Sequence, residues 1–331
     1  MATRSMFLAL AIGVTAAGGG AAGQDDAREE EWTVPRTADG QPDLQGVWTN
    51  ATITPFERGT DFAYSNVSMP ESAAERAFFT EVEAARFAAL TAAERRVRYA
   101  FANQPLDAWR GTQLLSTRQT SLVIDPSNGR VPVKAWAEEA RDHNRELETD
   151  HYRHMTVWDR CITRGVPGSM FPATYNNAYR LVQTPHAVVI QYEMIHDVRV
   201  IPVTARPHID DDIRQWMGDA RARWEGDTLV VTTTNFNDKG MIASSGGGGR
   251  MKGIPVSRSL HVVERFTRVS EAEVLWEVTV EDPEVYERPW TVSMPLTRAP
   301  DYVMFEYACH EGNRDVALLL NGARVGESST P

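Results

Sequence analysis

The chain has 331 residues, 42% of them hydrophobic and 24% charged, with a formal net charge of −11. That length fits one large β-rich domain or two small ones and can bury a sizeable core without staples. The acidic balance argues against a nucleic-acid backbone or an anionic membrane surface as partner. It leaves a neutral or cationic small molecule, although dispersed acids equally serve plain solubility.

Residues 1–23 read as a signal peptide. Arg4 is a sparse positive start, residues 6–17 are apolar, and Ala21-Ala22-Gly23 offers a small-residue cleavage site before Gln24. The expected location is therefore exported, either periplasmic or secreted, with 24–331 as one domain. No later apolar run is long enough to span a bilayer.

Residues 35–50 are punctuated by Pro, Gly and Asp before a strand beginning near Leu44. Gly46-Val47-Trp48 is a G-x-W of the kind that opens lipocalin-like barrels, where the Trp plugs one end. Residues 70–98 read as helical, broken near Leu90-Thr91. Ser72/Glu75 and Thr91/Glu94 match capping boxes, and Phe78, Val82 and Phe87 share a face. A strand at 120–125 and a tight turn at 126–129 follow. Residues 134–160 are again helix-prone, with Trp136, Leu147, Met155 and Trp158 as inward groups. These helices are expected to decorate a barrel.

From Tyr179 the character changes. Strands are predicted at 179–183, 187–201, 223–224, 228–236, 259–269, 274–281, 290–296 and 303–309, separated by Gly, Pro and Asp turns. The fold class implied is mainly β: an antiparallel β-barrel-like, lipocalin-like domain with N-terminal helical decoration. Residues 210–216 read as a short helix with an acidic first turn. The Gly-rich stretch 244–255 reads either as a lid over a barrel mouth or as a pliable insertion.

Polar groups that interrupt the apolar face of a strand mark a candidate site. Along 187–201 the apolar row is interrupted by Tyr192 and His196, while Glu193 and Arg199 fall on the other face. Glu264 shares a row with Leu260, Val262 and Phe266; His261 and Arg265 oppose it. Glu306 and His310 share a face of the last predicted strand. A carboxylate in an apolar lining is costly unless paired or protonated, and burial raises its pKa toward a range useful for acid–base work. His196, Glu264, Glu306 and His310 are thus the candidate catalytic groups. Tyr192, Glu193, Arg199, His261, Arg265 and Trp290 are the candidate substrate contacts. Arg199 and Arg265 equally suit buried ion pairs with the same acids.

Other chemistries lack their motifs. No two of His196, His208, His261 and His310 sit at a metal-ligand spacing such as H-x-H or H-x₃-H, so no metal is expected. There is no G-x-S-x-G, no G-x-G-x-x-G opening a helix and no C-x-x-C, and no cofactor is expected. Cys161 and Cys309 are the two cysteines, and in an exported chain they are expected to form one disulfide.

Five blocks taken together carry a resemblance: DLQGVW at 43–48, EMIHDVRVIP at 193–202, WEGDTLVV at 224–231, HVVERFTR at 261–268 and YACHEGN at 307–313. They resemble a large group of exported, mostly uncharacterised bacterial proteins that share them. The resemblance implies an exported β-rich fold and almost nothing about biochemistry. Two functions are carried forward. One is a cofactor-independent enzyme (lyase, isomerase or hydrolase) acting on a small organic molecule by Glu/His acid–base chemistry. The other is a lipocalin-like binding protein for an apolar small molecule. The oligomeric state is beyond the sequence.

Overall fold

The computed structural model describes residues 32–59, 70–89, 114–173 and 175–328. The predicted signal segment lies outside them, as does the helix predicted from Thr91 with its Thr91/Glu94 box.

Among the described residues, ten strands make one antiparallel sheet: β1 (Gly46–Thr49), β2 (Val123–Asp125), β3 (Ala178–Thr184), β4 (Ala187–Tyr192), β5 (Val198–Pro202), β6 (Asp219–Glu225), β7 (Thr228–Thr234), β8 (His261–Arg268), β9 (Glu273–Glu281) and β10 (Trp290–Arg298). Nine follow the order β5-β4-β3-β1-β10-β9-β8-β7-β6, and β2 pairs with β10 off that path. The outer strands β5 and β6 meet through one parallel bridge, Val203 to Ala222. The sheet is therefore a nearly closed barrel, as the alternating pattern predicts.

The period-2 pattern fixes which side chains enter. On β8 Val262, Glu264, Phe266 and Arg268 are buried and their neighbours are not. On β9 the buried row is Val274, Trp276, Val278 and Val280. The G-x-W works as expected at one end. Trp48 is fully buried, its indole donates to the Leu44 carbonyl at 2.9 Å, and the Arg268 guanidinium lies 5.7 Å from its ring centre. Gly46 has φ +139°, a backbone conformation that residues with side chains rarely adopt.

The barrel centre is filled. Phe171 reaches in from the loop before β3 and packs 4.7 Å from Phe56, 6.0 Å from Trp276 and 6.4 Å from Trp290. The Gly-rich stretch, expected as either a lid or a pliable insertion, is part of this packing. Residues Gly246–Met251 form a 3-10 turn with Gly247, Gly248 and Met251 buried. A Cβ on Gly247 would lie 2.1 Å from the Pro172 carbonyl oxygen. Gly247→Ala is therefore expected to cost about 1–3 kcal/mol, the range for overpacking. Urea unfolding checks this; an unchanged midpoint would mean the loop yields freely.

Helix α1 (Glu81–Ala88) starts from a complete Thr80/Glu83 capping box, and α2 (Ala135–Glu146) follows β2. Several expectations fail locally. Ser72 lies in a 3-10 turn after Pro70 without a side-chain cap. Phe78 and Val82 are exposed, and Phe79 is buried with Phe87 instead. The predicted helix at 210–216 is a set of turns, because the Asn235 amide binds the carbonyls of Ile209, Asp210 and Ile213. The predicted strand 303–309 is irregular. The chain ends instead in a helix, α3 (Asp315–Ser328), with no buried residue; Gly322 and Gly326 weaken its signal in the sequence. No described helix is long and apolar enough to cross a membrane.

Candidate functional site

The predicted strand 187–201 is two strands. β4 ends at Tyr192, and the 3-10 turn Met194–His196 follows with left-handed backbone at Ile195 (φ 64°) and His196 (φ 47°). β5 then returns antiparallel, with Ile190 opposite Arg199. The reversal swaps odd and even positions. Arg199 thus points inward beside Tyr192, while Val198 and Val200 face out.

This turn divides the predicted site residues into two groups. Inside the barrel, Arg199 donates to Glu264 through both terminal nitrogens, at 2.7 and 3.2 Å. It also donates to the Tyr192 hydroxyl and the Thr233 hydroxyl, each at 3.2 Å. The Trp276 indole donates to Glu264 at 3.3 Å. The pair spans the β5–β6 seam, with Arg199 on β5 and Glu264 on β8, and ties the barrel where the backbone ladder is missing. Burial is the largest single influence and lowers the affinity of Arg199 for its proton, but the Glu264 charge, Tyr192 and the hydrogen bonds to both together outweigh it and hold the guanidinium above its ordinary range. Burial, with the Glu264 charge adding, pushes the Tyr192 phenol up to about 12 even against Arg199. Glu264 is therefore a paired structural acid rather than a free acid in an apolar lining.

The second group lies outside the barrel, around the Cys161–Cys309 disulfide, which joins residues 148 apart with Cα atoms 5.6 Å apart. Glu193 is buried and accepts the Tyr302 hydroxyl at 2.8 and 2.9 Å and the Phe305 amide at 3.0 Å. His196 is exposed, and its Nδ1 lies 2.7 Å from the Tyr307 carbonyl oxygen. Beside it, burial raises the Asp197 carboxyl above its ordinary range, partly offset by the Thr163 hydroxyl donating at 2.7 Å.

These contacts hold the 302–313 segment over an open cleft of about 540 Å³. Asp159, Glu306, Glu311 and Asp315 line it with Trp158, Tyr175 and Tyr307, and the disulfide is part of its wall. The Tyr175 and Tyr307 hydroxyls are 3.2 Å apart, and burial with this contact raises the Tyr175 phenol. Asp159 accepts the Thr156 hydroxyl at 2.6 Å. Arg164 stands over one face of the Trp158 ring, 5.9 Å from its centre. Among the described residues no basic side chain lines the cleft.

The predicted convergence of Glu264, Glu306, His196 and His310 on one barrel cavity does not occur. Among the described residues neither carboxylate is hydrogen-bonded to a histidine. Glu306 and His310 are exposed because their segment is not a strand. His261 and Arg265 lie on the outer barrel face, where Arg265 pairs with Glu225 at 3.0 Å. Trp290 is core, packed on Tyr286. No described group of His, Cys, Asp or Glu is arranged to hold a metal ion.

Asp159, Tyr175, Glu311 and Asp315 were not legible as site residues. Their only signal was proximity in sequence to Cys161 or to the YACHEGN block. No family model matches the chain, and neither a curated protein nor a solved structure matches it.

Proposed function

We propose that this protein is exported and captures a small organic cation in the cleft beside Cys161–Cys309. One observation carries the reading: four carboxylates and three aromatic rings, with no basic residue among the described ones, line about 540 Å³. Carboxylates attract a cation, and aromatic faces accept it once part of its water is shed. The volume falls within the range of small-molecule sites, about 300–1,000 Å³. Export is supported by the leader-like residues 1–23, by the resemblance and by the disulfide, a bond favoured in oxidising compartments. An apolar ligand inside the barrel finds less support, because Phe171, Trp276 and Trp290 fill the centre.

Titration of benzyltrimethylammonium into the full protein, followed by calorimetry, tests this. Saturable binding that weakens with salt is expected, and Trp158→Ala should weaken it about tenfold, the upper scale of a cation–π contact. Equal binding of an uncharged isostere, or none of the cation, would refute the reading.

The acid–base enzyme is the second reading. It is favoured by Asp197, a carboxyl raised by burial beside His196, whose ring docks on the cleft-lining Tyr307. In that case Glu306→Gln should lower turnover of the bound molecule about 10²-fold, well beyond its effect on binding. Bound ligand recovered unchanged would favour capture alone.

A further inference from the structure

The β5–β6 seam is closed at one end and open at the other. At the closed end the Thr204 amide donates to the Ala222 carbonyl at 3.0 Å. Below it lies a cleft of about 610 Å³, with Val198, Val200 and Pro202 on one wall and Gly218, Asp219 and Ala220 on the other.

The two walls differ in what they leave free. The β4–β5 ladder uses the backbone groups of alternate residues, as the Tyr192 amide bond to the Asp197 carbonyl and the Val203 amide bond to the His186 carbonyl establish. The intervening residues Val198 and Val200 direct their amides and carbonyls into the seam, where no described group meets them. Pro202, in the same phase, has no N–H to offer. On the opposite wall, the Ala220 carbonyl already accepts the Arg221 guanidinium at 2.8 Å, and the Asp219 carboxylate accepts it at 2.7 Å. With both Val198 and Val200 unengaged, β5 carries the more open hydrogen-bonding edge.

The side chains along that edge are apolar and exposed: Val198 50% and Val200 64%. Arg214 also lines the cleft; it donates to the Arg258 carbonyl but pairs with no carboxylate among the described residues. An unpaired strand edge recognises another strand, because only a second backbone supplies donors and acceptors at the same repeat. Exposed valines favour β-branched residues across from them, and a free arginine favours an acid.

We infer that the open half of the seam receives an extended peptide segment of another protein, apolar with an acidic residue, which adds a strand to β5. This surface is separate from the acidic cleft and does not depend on what fills it.

The probe is the labelled peptide acetyl-Glu-Val-Thr-Val-Thr-amide, titrated into the full protein by fluorescence anisotropy. Hydrogen exchange of the free protein should show fast Val198 and Val200 amides alternating with protected Arg199 and Ile201 amides. The peptide should slow the two fast ones. Val200→Pro removes a donor that the ladder does not use. It is expected to weaken binding at least tenfold and leave the urea midpoint in place. A peptide N-methylated at alternate residues should bind at least tenfold more weakly, a test that leaves the protein unaltered. Arg214→Gln should weaken the Glu peptide and not its Gln counterpart. Protected Val198 and Val200 amides in the free protein, equal binding of the N-methylated peptide, or no binding of the probe would overturn the inference.

Discussion

Replacing Glu264 by Leu is expected to destabilise the protein by about 3–5 kcal/mol, the cost of stranding a buried charge. The Arg199 side chain is 4% exposed, and Glu264 is its ion-pair partner at 2.7 Å. With the carboxylate gone, its remaining side-chain contacts are the neutral hydroxyls of Tyr192 and Thr233. Against the 5–15 kcal/mol typical of whole domains, such a loss is severe. Glu264→Gln keeps the shape but not the charge, and is expected to fall between Leu and the parent. Removing both charges, as Arg199→Met with Glu264→Leu, should recover most of the loss, because neither ion is then buried alone. Glu306→Gln should move stability by no more than about 0.5 kcal/mol, as expected of an exposed acid with no ion-pair partner among the described residues. Urea unfolding of the four variants measures all of this. A double variant no better than Glu264→Leu would show that the residues matter separately and not as a pair. If Glu306→Gln proved as damaging as Glu264→Leu, the division of the two acids into core and cleft would fall.

That contrast marks where the sequence stopped being readable. Strand alternation correctly put Glu264 in the apolar row of β8, beside Val262 and Phe266, because a period of two survives unless the strand is interrupted. It could not supply the partner. Alternation along 187–201, which scans as one strand, puts Arg199 on the face opposite Tyr192; the left-handed residues Ile195 and His196 break that strand. Nothing in the residue types announces such a turn, since Ile disfavours positive φ. Glu306 was assigned to a strand on equally good alternation, but that segment is held by side-chain contacts to Glu193 and by the disulfide. Barrel class, the G-x-W plug and the cysteine pairing were legible because each rests on local pattern or on there being two cysteines. The acidic cleft was not, because it joins residues 158–175 to residues 306–315, and no periodicity links segments that far apart.

Breaking the Cys161–Cys309 bond is expected to produce the second large effect, in two separable parts. The bond closes a loop spanning 148 residues, and chain entropy alone assigns it about 5 kcal/mol, with measured values commonly about 2–4. Paired Cys161→Ala and Cys309→Ala substitutions should therefore lower the urea midpoint clearly. The second part is local. Beyond β10 the chain is attached through Tyr302 and Phe305 on Glu193, Tyr307 on His196, and Arg324 on the Thr149 and Asp150 carbonyls. Helix α3 buries no side chain, so it adds little apolar anchorage of its own. Without the covalent tie, residues 299–328 should open at a free energy well below that of the barrel strands. Limited proteolysis should then cut this segment before the barrel unfolds, and binding in the acidic cleft should vanish while the β8 and β9 amides stay protected. A reduced protein that unfolds at the same urea concentration and resists cleavage after Ala299 would show that the noncovalent contacts suffice. Simultaneous loss of the barrel amides would instead make the disulfide a staple of the whole fold. The cleft residues Asp159 and Glu306 sit on opposite sides of this one bond, so ligand binding and the redox state of Cys161 are expected to be coupled: ligand should slow reduction, and reduction should abolish binding.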